Sequence, residues 1–164
     1  MLKSWFQLHI TIYWAASVLL TIVAMRGKSL IVPERRRLVS WHVCFRAAVM
    51  SLLNQLLSYP LIAIALPYCK EEDQSLIMSL CALPIYVILA DQWFYFTHRA
   101  LHHPTLFRKI HYLHHQWIYP MAVSALYAHP VEHIICNIGA MLIGPLIFPT
   151  SQVVLGIWTS IGTL

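Results

Sequence analysis

The stretch QSLIMSLCALPIYVILADQWFYFTHRALHH, residues 74–103, decides the architecture. From Gln74 to Ala90 it carries no charge, and it runs without a break into Asp91 and then His98, His102 and His103. A hydrocarbon core takes about 20 helical residues to cross. The segment therefore reads as a transmembrane helix that delivers histidines to the membrane surface. His98 and His102 are four apart and share one helix face.

Upstream, Trp5 to Met25 is a second uncharged run of spanning length. Lys3 alone precedes it, whereas Arg26, Lys28, Arg35, Arg36 and Arg37 follow it. A cleavable signal has its positive charge in front, so this is an uncleaved first span ending in the cytosol. A further uncharged run covers Ala47 to Cys69, with a kink expected at Pro60, which membrane helices tolerate. The acidic loop Lys70-Glu71-Glu72-Asp73 suits the non-cytosolic side. Arg99, Arg108 and Lys109 then return the histidines to the cytosol, because basic residues gather there. From Ile134 to Leu164 no charge occurs, and Gly139, Gly144, Pro145 and Pro149 interrupt the run. That stretch is one span, a re-entrant pair or the start of a hairpin.

Composition agrees. Of the 164 residues 59% are hydrophobic and only 10% charged, against roughly 25% charged in ordinary soluble domains. The expected fold class is all-α: an integral membrane helical protein with three to four transmembrane spans and a cytosolic, histidine-rich helical cap. Residues 1–39 form the first span with its basic loop, and residues 40–164 the main membrane domain. The net charge of +5 is a topology signal; no basic stripe with interleaved aromatics marks a nucleic-acid partner. Cys44, Cys69, Cys81 and Cys136 form no CxxC pair and read as reduced thiols.

Eight of the ten histidines lie between residues 98 and 133. His111, His114 and His115 stand at i, i+3 and i+4, again one helix face. Two such faces opposed would aim five imidazoles, with His98 and His102, into one small volume. Imidazole suits iron, zinc and copper, and binding a metal demands the neutral form that crowding also favours. His103 is turned about 100° from His102 on a helix and is a lesser candidate. His9 and His42 read as isolated satisfied or interfacial side chains. Asp91, Tyr95 and His98 share the face of the first histidine pair. Asp91 and Tyr95 are therefore expected behind the ligands, the carboxylate accepting the free N–H of a ligating imidazole. A snorkelling interfacial charge is the other reading of Asp91. The pentapeptide His129-Pro130-Val131-Glu132-His133 matches H-x-x-E-H, in which two helical histidines hold zinc. That reading leaves five upstream histidines without a role, and Pro130 biases His129 away from helical geometry.

Taken together, residues 91–103, the HxxHH run 111–115 and the stretch Ala125 to Glu132 resemble the fatty acid hydroxylase/sterol desaturase superfamily, with the last similar to its C-4 methylsterol oxidase branch. The resemblance covers roughly residues 40–164. It implies a non-haem di-iron centre facing the cytosol at the endoplasmic reticulum membrane. It implies O2 activation with electrons from NAD(P)H through cytochrome b5, and a lipid substrate, sterol or fatty-acyl, drawn from the bilayer. Carried over by position, His98, His102, His111, His114 and His115 are metal ligands, and His129 a ligand or its hydrogen-bond partner. The family's third, C-terminal HxxHH box has no counterpart, since no histidine follows His133. A fragment or short isoform is therefore expected, with two-metal occupancy and turnover left open. A catalytically silent membrane protein that keeps the fold is the alternative.

Overall fold

The computed structural model describes residues 2–26, 40–69, 75–116 and 121–163, and no strand occurs among them. Helix α1 is Leu2–Arg26, α2 is Trp41–Ala65, and α3 is Leu76–Leu101. A short helical segment over residues 104–115 (α4) follows, then α5, Pro130–Ile147, and α6, Gln152–Thr163. Four helices are long and apolar enough to cross a membrane, the windows being Phe6–Val23, Trp41–Cys69, Leu76–Leu101 and Pro130–Ile147. The expected multi-span, all-helical architecture is therefore present. The basic loop containing Lys28 and Arg35 to Arg37, and the loop Lys70 to Asp73, lie outside the described residues.

Local chemistry sets the helix starts. Ser40 caps α2, its hydroxyl accepting from the Val43 amide at 3.4 Å, so the helix begins before the uncharged run and takes in Arg46. Ser75 caps α3 in the same way through Met78. Both α2 and α3 continue through an internal proline, Pro60 and Pro84. As the sequence suggested, α3 runs unbroken from the apolar segment through Asp91 to the histidines.

The open question of residues 134–164 is resolved as two helices. The chain turns after Ile147, and α6 folds back, with the Trp158 indole donating to the Met141 carbonyl at 2.8 Å. Over its 12 described residues, α6 is about 18 Å long. The α5–α6 turn is fastened to the far ends of α2 and α3. The Thr150 amide donates to the Cys69 carbonyl at 3.1 Å, and the Ser151 amide to the Ser79 hydroxyl at 3.1 Å. Buried Tyr86 donates to the Phe148 carbonyl. The bundle thus has two distinct ends: this one, and the opposite end where α3 runs out into α4 and α5 starts.

Between α4 and α5 the chain dips among the helices. Residues 121–128 contain only a 3-10 turn, Ala122–Ser124, yet Val123, Tyr127 and Ala128 are buried. Non-helical backbone at membrane depth is tolerated only where protein satisfies its polar groups. Here α1 and α2 do so: Tyr13 and Ser51 donate to the Val123 carbonyl, and Ser17 to that of Ala122. Asn54 spans the carbonyls of Leu126 and Ala128 at 2.9 Å each. This pinned segment fixes where α5 begins.

Candidate metal centre

Three elements converge at the α3–α4 end. His98 and His102 come from the last turns of α3, and His111 and His115 from α4. A π turn, Phe107–His111, lies in α4, and a second, His133–Ile138, in α5. Such turns gather at functional sites; one ends on a member of the cluster and the other starts beside Glu132. The Trp93 indole donates to the Ile135 carbonyl within the second at 2.7 Å, tying α5 to α3.

His98, His102, His111 and His115 each offer one ring nitrogen, all within 4.8 Å of one another. Nε2 of His111 lies 2.9 Å from that of His115 and 3.2 Å from that of His102, which is 3.3 Å from that of His98. Metal–imidazole bonds of about 2.0–2.1 Å place ligand nitrogens roughly 3–4 Å apart. The four-nitrogen group therefore fits one transition metal ion. Among the described residues no other such group occurs.

Glu132 sets the polarity of the cluster. It is buried, and its Oε1 lies 2.8 Å from Nδ1 of fully buried His111. A carboxylate accepts, so Nδ1 carries the proton and Nε2 presents its lone pair to the other three rings. Burial first, and then the surrounding imidazoles, hold the His111 pKa down at about 4. His115 is lowered too, by burial and then by His114 and His102. Both rings are neutral at physiological pH, the form a metal requires.

The remaining expected residues are placed differently. His114 stacks on His111 with centroids 5.7 Å apart, but its Nδ1 donates to the Tyr127 carbonyl at 3.4 Å, and it stands outside the four-nitrogen group. His129 caps α5, its Nδ1 accepting from the Val131 amide at 3.2 Å. His103 is exposed, outside the group, at the start of α4. Tyr95 accepts from Arg99 at 2.8 Å, on the exposed surface. Asp91 hydrogen-bonds only to Gln92 among the described residues. The place foreseen for Asp91, behind a clustered imidazole, is taken by Glu132. Sharing a helix face was not enough, because seven residues separate Asp91 from His98 by about 10 Å along the axis. The H-x-x-E-H reading also fails on geometry. His129 has extended backbone, Glu132 is engaged by His111, and His133 is held by Ser58 at 2.8 Å and Asn137 at 3.1 Å.

Glu132 was legible in principle. A carboxylate inside an apolar run is costly and usually functional, the same argument that singled out Asp91.

Comparison with known proteins agrees with this arrangement. The family model for fatty acid hydroxylases matches residues 83–164, a region that holds all four clustered histidines and Glu132. Human fatty acid hydroxylase domain-containing protein 2 is 30% identical over 96% of this chain and 52% of its own length. Methylsterol monooxygenase 1 of Gallus gallus is 36% identical over 57% of this chain and 31% of its own length. Fatty acid hydroxylase ahd1 of Mycosarcoma maydis is 34% identical over 64% and 28%. The chain spans about half the length of the first curated relatives it matches. No solved structure matches it. With the model covering half of the sequence, the chain belongs to the fatty acid hydroxylase family.

Proposed function

We propose that this chain is a membrane-bound non-haem iron oxygenase of the hydroxylase/desaturase type, acting on a sterol or fatty-acyl lipid. The observation that carries the reading is the convergence of four ring nitrogens, with one of them oriented by a buried carboxylate. His98, His102, His111 and His115 would hold the iron. Bound there, iron supplies the redox chemistry that activates O2 for oxidation of an unactivated C–H bond. Glu132 keeps His111 in the tautomer that faces the ion. The candidate spans on which the cluster sits let an apolar substrate arrive from lipid rather than water. A second, di-iron ion would draw on further ligands, for which His114 is the nearest imidazole in this chain. In keeping with the family, the electrons would come from NAD(P)H through cytochrome b5, and the endoplasmic reticulum would be the membrane. A second reading, metal binding without turnover by this chain alone, is favoured by one specific point: the group accounts for one ion and not two.

The test is metal content and oxidation in the same preparation. Detergent-purified protein is expected to contain iron above background, and His102→Ala and His111→Ala to lose most of it. With reductase, cytochrome b5, NAD(P)H and a panel of sterols and acyl lipids, O2-dependent product is expected only from the iron-bearing protein. Iron without product supports the second reading. Absence of iron from all three proteins ends both.

A further inference from the structure

The contact between α3 and the π turn His133–Ile138 is built around one displaced carbonyl. At the end of the turn the Gly139 amide donates to the carbonyls of Ile134 and Cys136. In a regular α-helix its partner would be the Ile135 carbonyl, four residues back. The bond to Ile134, five residues back, is the π-type one. The Ile135 carbonyl therefore has its ordinary donor redirected, and the Trp93 indole N–H donates to it instead at 2.7 Å. Gly139 supplies the room: a Cβ there would fall 2.5 Å from the indole nitrogen and 3.0 Å from Cε2. Cys136, buried in the same turn, lies against Thr97, one turn further along α3. Any carbonyl would satisfy a buried indole N–H. The one used is the one that the turn displaces, beside a residue with no side chain.

A π turn holds one residue more than the α turn it replaces. The helix before it is therefore rotated by about 100° relative to an unbroken α-helix. After the turn, the phase of α5 is set where Gly144 packs closely on Tyr86. Glu132 is the residue immediately before the turn, with its Oε1 2.8 Å from Nδ1 of His111. Were the turn to relax to α geometry with the Gly144 packing kept, Glu132 would swing by about 100° and leave His111. Such turns are rare, and the group that engages this one from outside is on α3.

We propose that Trp93 is a positioning residue for the metal centre: its indole N–H, seated over Gly139, holds the π turn of α5 and thereby aims Glu132 at His111. This role rests on the metal site proposed above and adds to it a residue that touches none of the four clustered nitrogens. Trp93 lies on α3, the helix that also supplies His98 and His102. One helix thus presents two imidazoles directly and fixes the orientation of a third through α5.

The experiment uses Trp93→Phe, which keeps an aromatic ring and removes the N–H. In the metal-free full chain in detergent, NMR of histidine labelled at its ring nitrogens reads the His111 tautomer, with His111→Gln assigning the signal. The unaltered chain is expected to carry the proton on Nδ1, and Trp93→Phe to move a measurable fraction of it to Nε2. Metal affinity is read by chelator competition with Zn2+, which binds imidazole and has no redox chemistry. Trp93→Phe is expected to weaken zinc about tenfold, the low end of what losing an outer partner of a ligating histidine costs. In a Glu132→Gln background the same substitution is expected to change the affinity by less than about twofold, because a residue acting through Glu132 has nothing left to aim. A residue that only packs would lower both affinities alike and leave the tautomer in place. Gly139→Ala, which pushes the indole off the carbonyl, is expected to repeat both changes, and it replaces Trp93→Phe should that variant not fold. A His111 proton unmoved by these variants overturns the inference, as does an equal loss of zinc with and without Glu132. If the unaltered chain binds neither zinc nor iron, the metal reading fails while the tautomer still decides this one. Metal binding with a tautomer indifferent to Trp93 would count against this inference alone.

Discussion

Glu132 is the residue on which the proposed metal centre turns. Its Oε1 is bonded to His111, while its Oε2 is buried with no hydrogen-bond partner among the described residues. A buried carboxylate in that state does little for folding, since taking the charge out of water costs several kcal/mol in real proteins. In the proposed site its contribution would be to the ion: it would fix the His111 tautomer and make the ring a stronger donor. Glu132→Gln is therefore expected to lower metal affinity by roughly 10–100-fold, measured by competition with a chelator of known affinity. The metal-free melting temperature of the same variant is expected to hold or rise. A falling melting temperature with unchanged metal affinity would make Glu132 a packing residue instead. At this scale the sequence was uneven in what it disclosed. Spacing on one helix identifies His98 with His102 and His111 with His115, because i, i+4 geometry is local. It cannot say that Glu132 rather than Asp91 stands behind the ring, because that contact spans 21 positions and depends on where α5 starts.

At the scale of elements, the seam between α3 and α5 holds the site together. A Cβ on Gly144 would fall 2.6 Å from Cδ1 of Tyr86 and 3.0 Å from its Cα. The Cα is backbone and cannot swing away. Gly162 offers a contrast, since a Cβ there meets only the flexible end of Met141 at 3.3 Å. Gly144→Ala is expected to destabilise the bundle by about 1–3 kcal/mol through overpacking, and Gly162→Ala by much less. Thermal unfolding in detergent, with metal removed, reads the comparison; equal effects would mean that the seam is looser than its geometry. The long helices were legible because an uncharged run of spanning length has few alternatives. The break before α6 was not, because Gly and Pro occur within membrane helices as well as at their ends. In this chain Pro60, Pro84 and Pro145 lie inside helices and Pro149 in a turn. What separates them is tertiary: the turn is where the backbone finds Cys69 and Ser79.

For the whole molecule, the two ends of the bundle carry opposite chemistry. One has Cys69, Ser79 and the α5–α6 turn; the other has the histidines, with Arg99, Arg108 and Lys109 beside them. Successive helices alternate direction, so the end of α1, the start of α2 and the end of α3 belong to one side. That side collects Arg26, Arg46 and Arg99, and in the sequence also Lys28 and Arg35 to Arg37. Basic residues next to spans favour the cytosolic side, so the proposed iron centre is expected within reach of a cytosolic electron donor. Glycosylation mapping in microsomes tests this directly. An extended acceptor loop inserted within residues 70–74 is expected to gain a glycan, and the same loop inserted after Gln116 to gain none. The reverse pattern would put the four imidazoles on the luminal side, cut off from NAD(P)H and any donor it reduces. The cluster could still bind a metal there, but electron supply from the cytosol would no longer account for its chemistry.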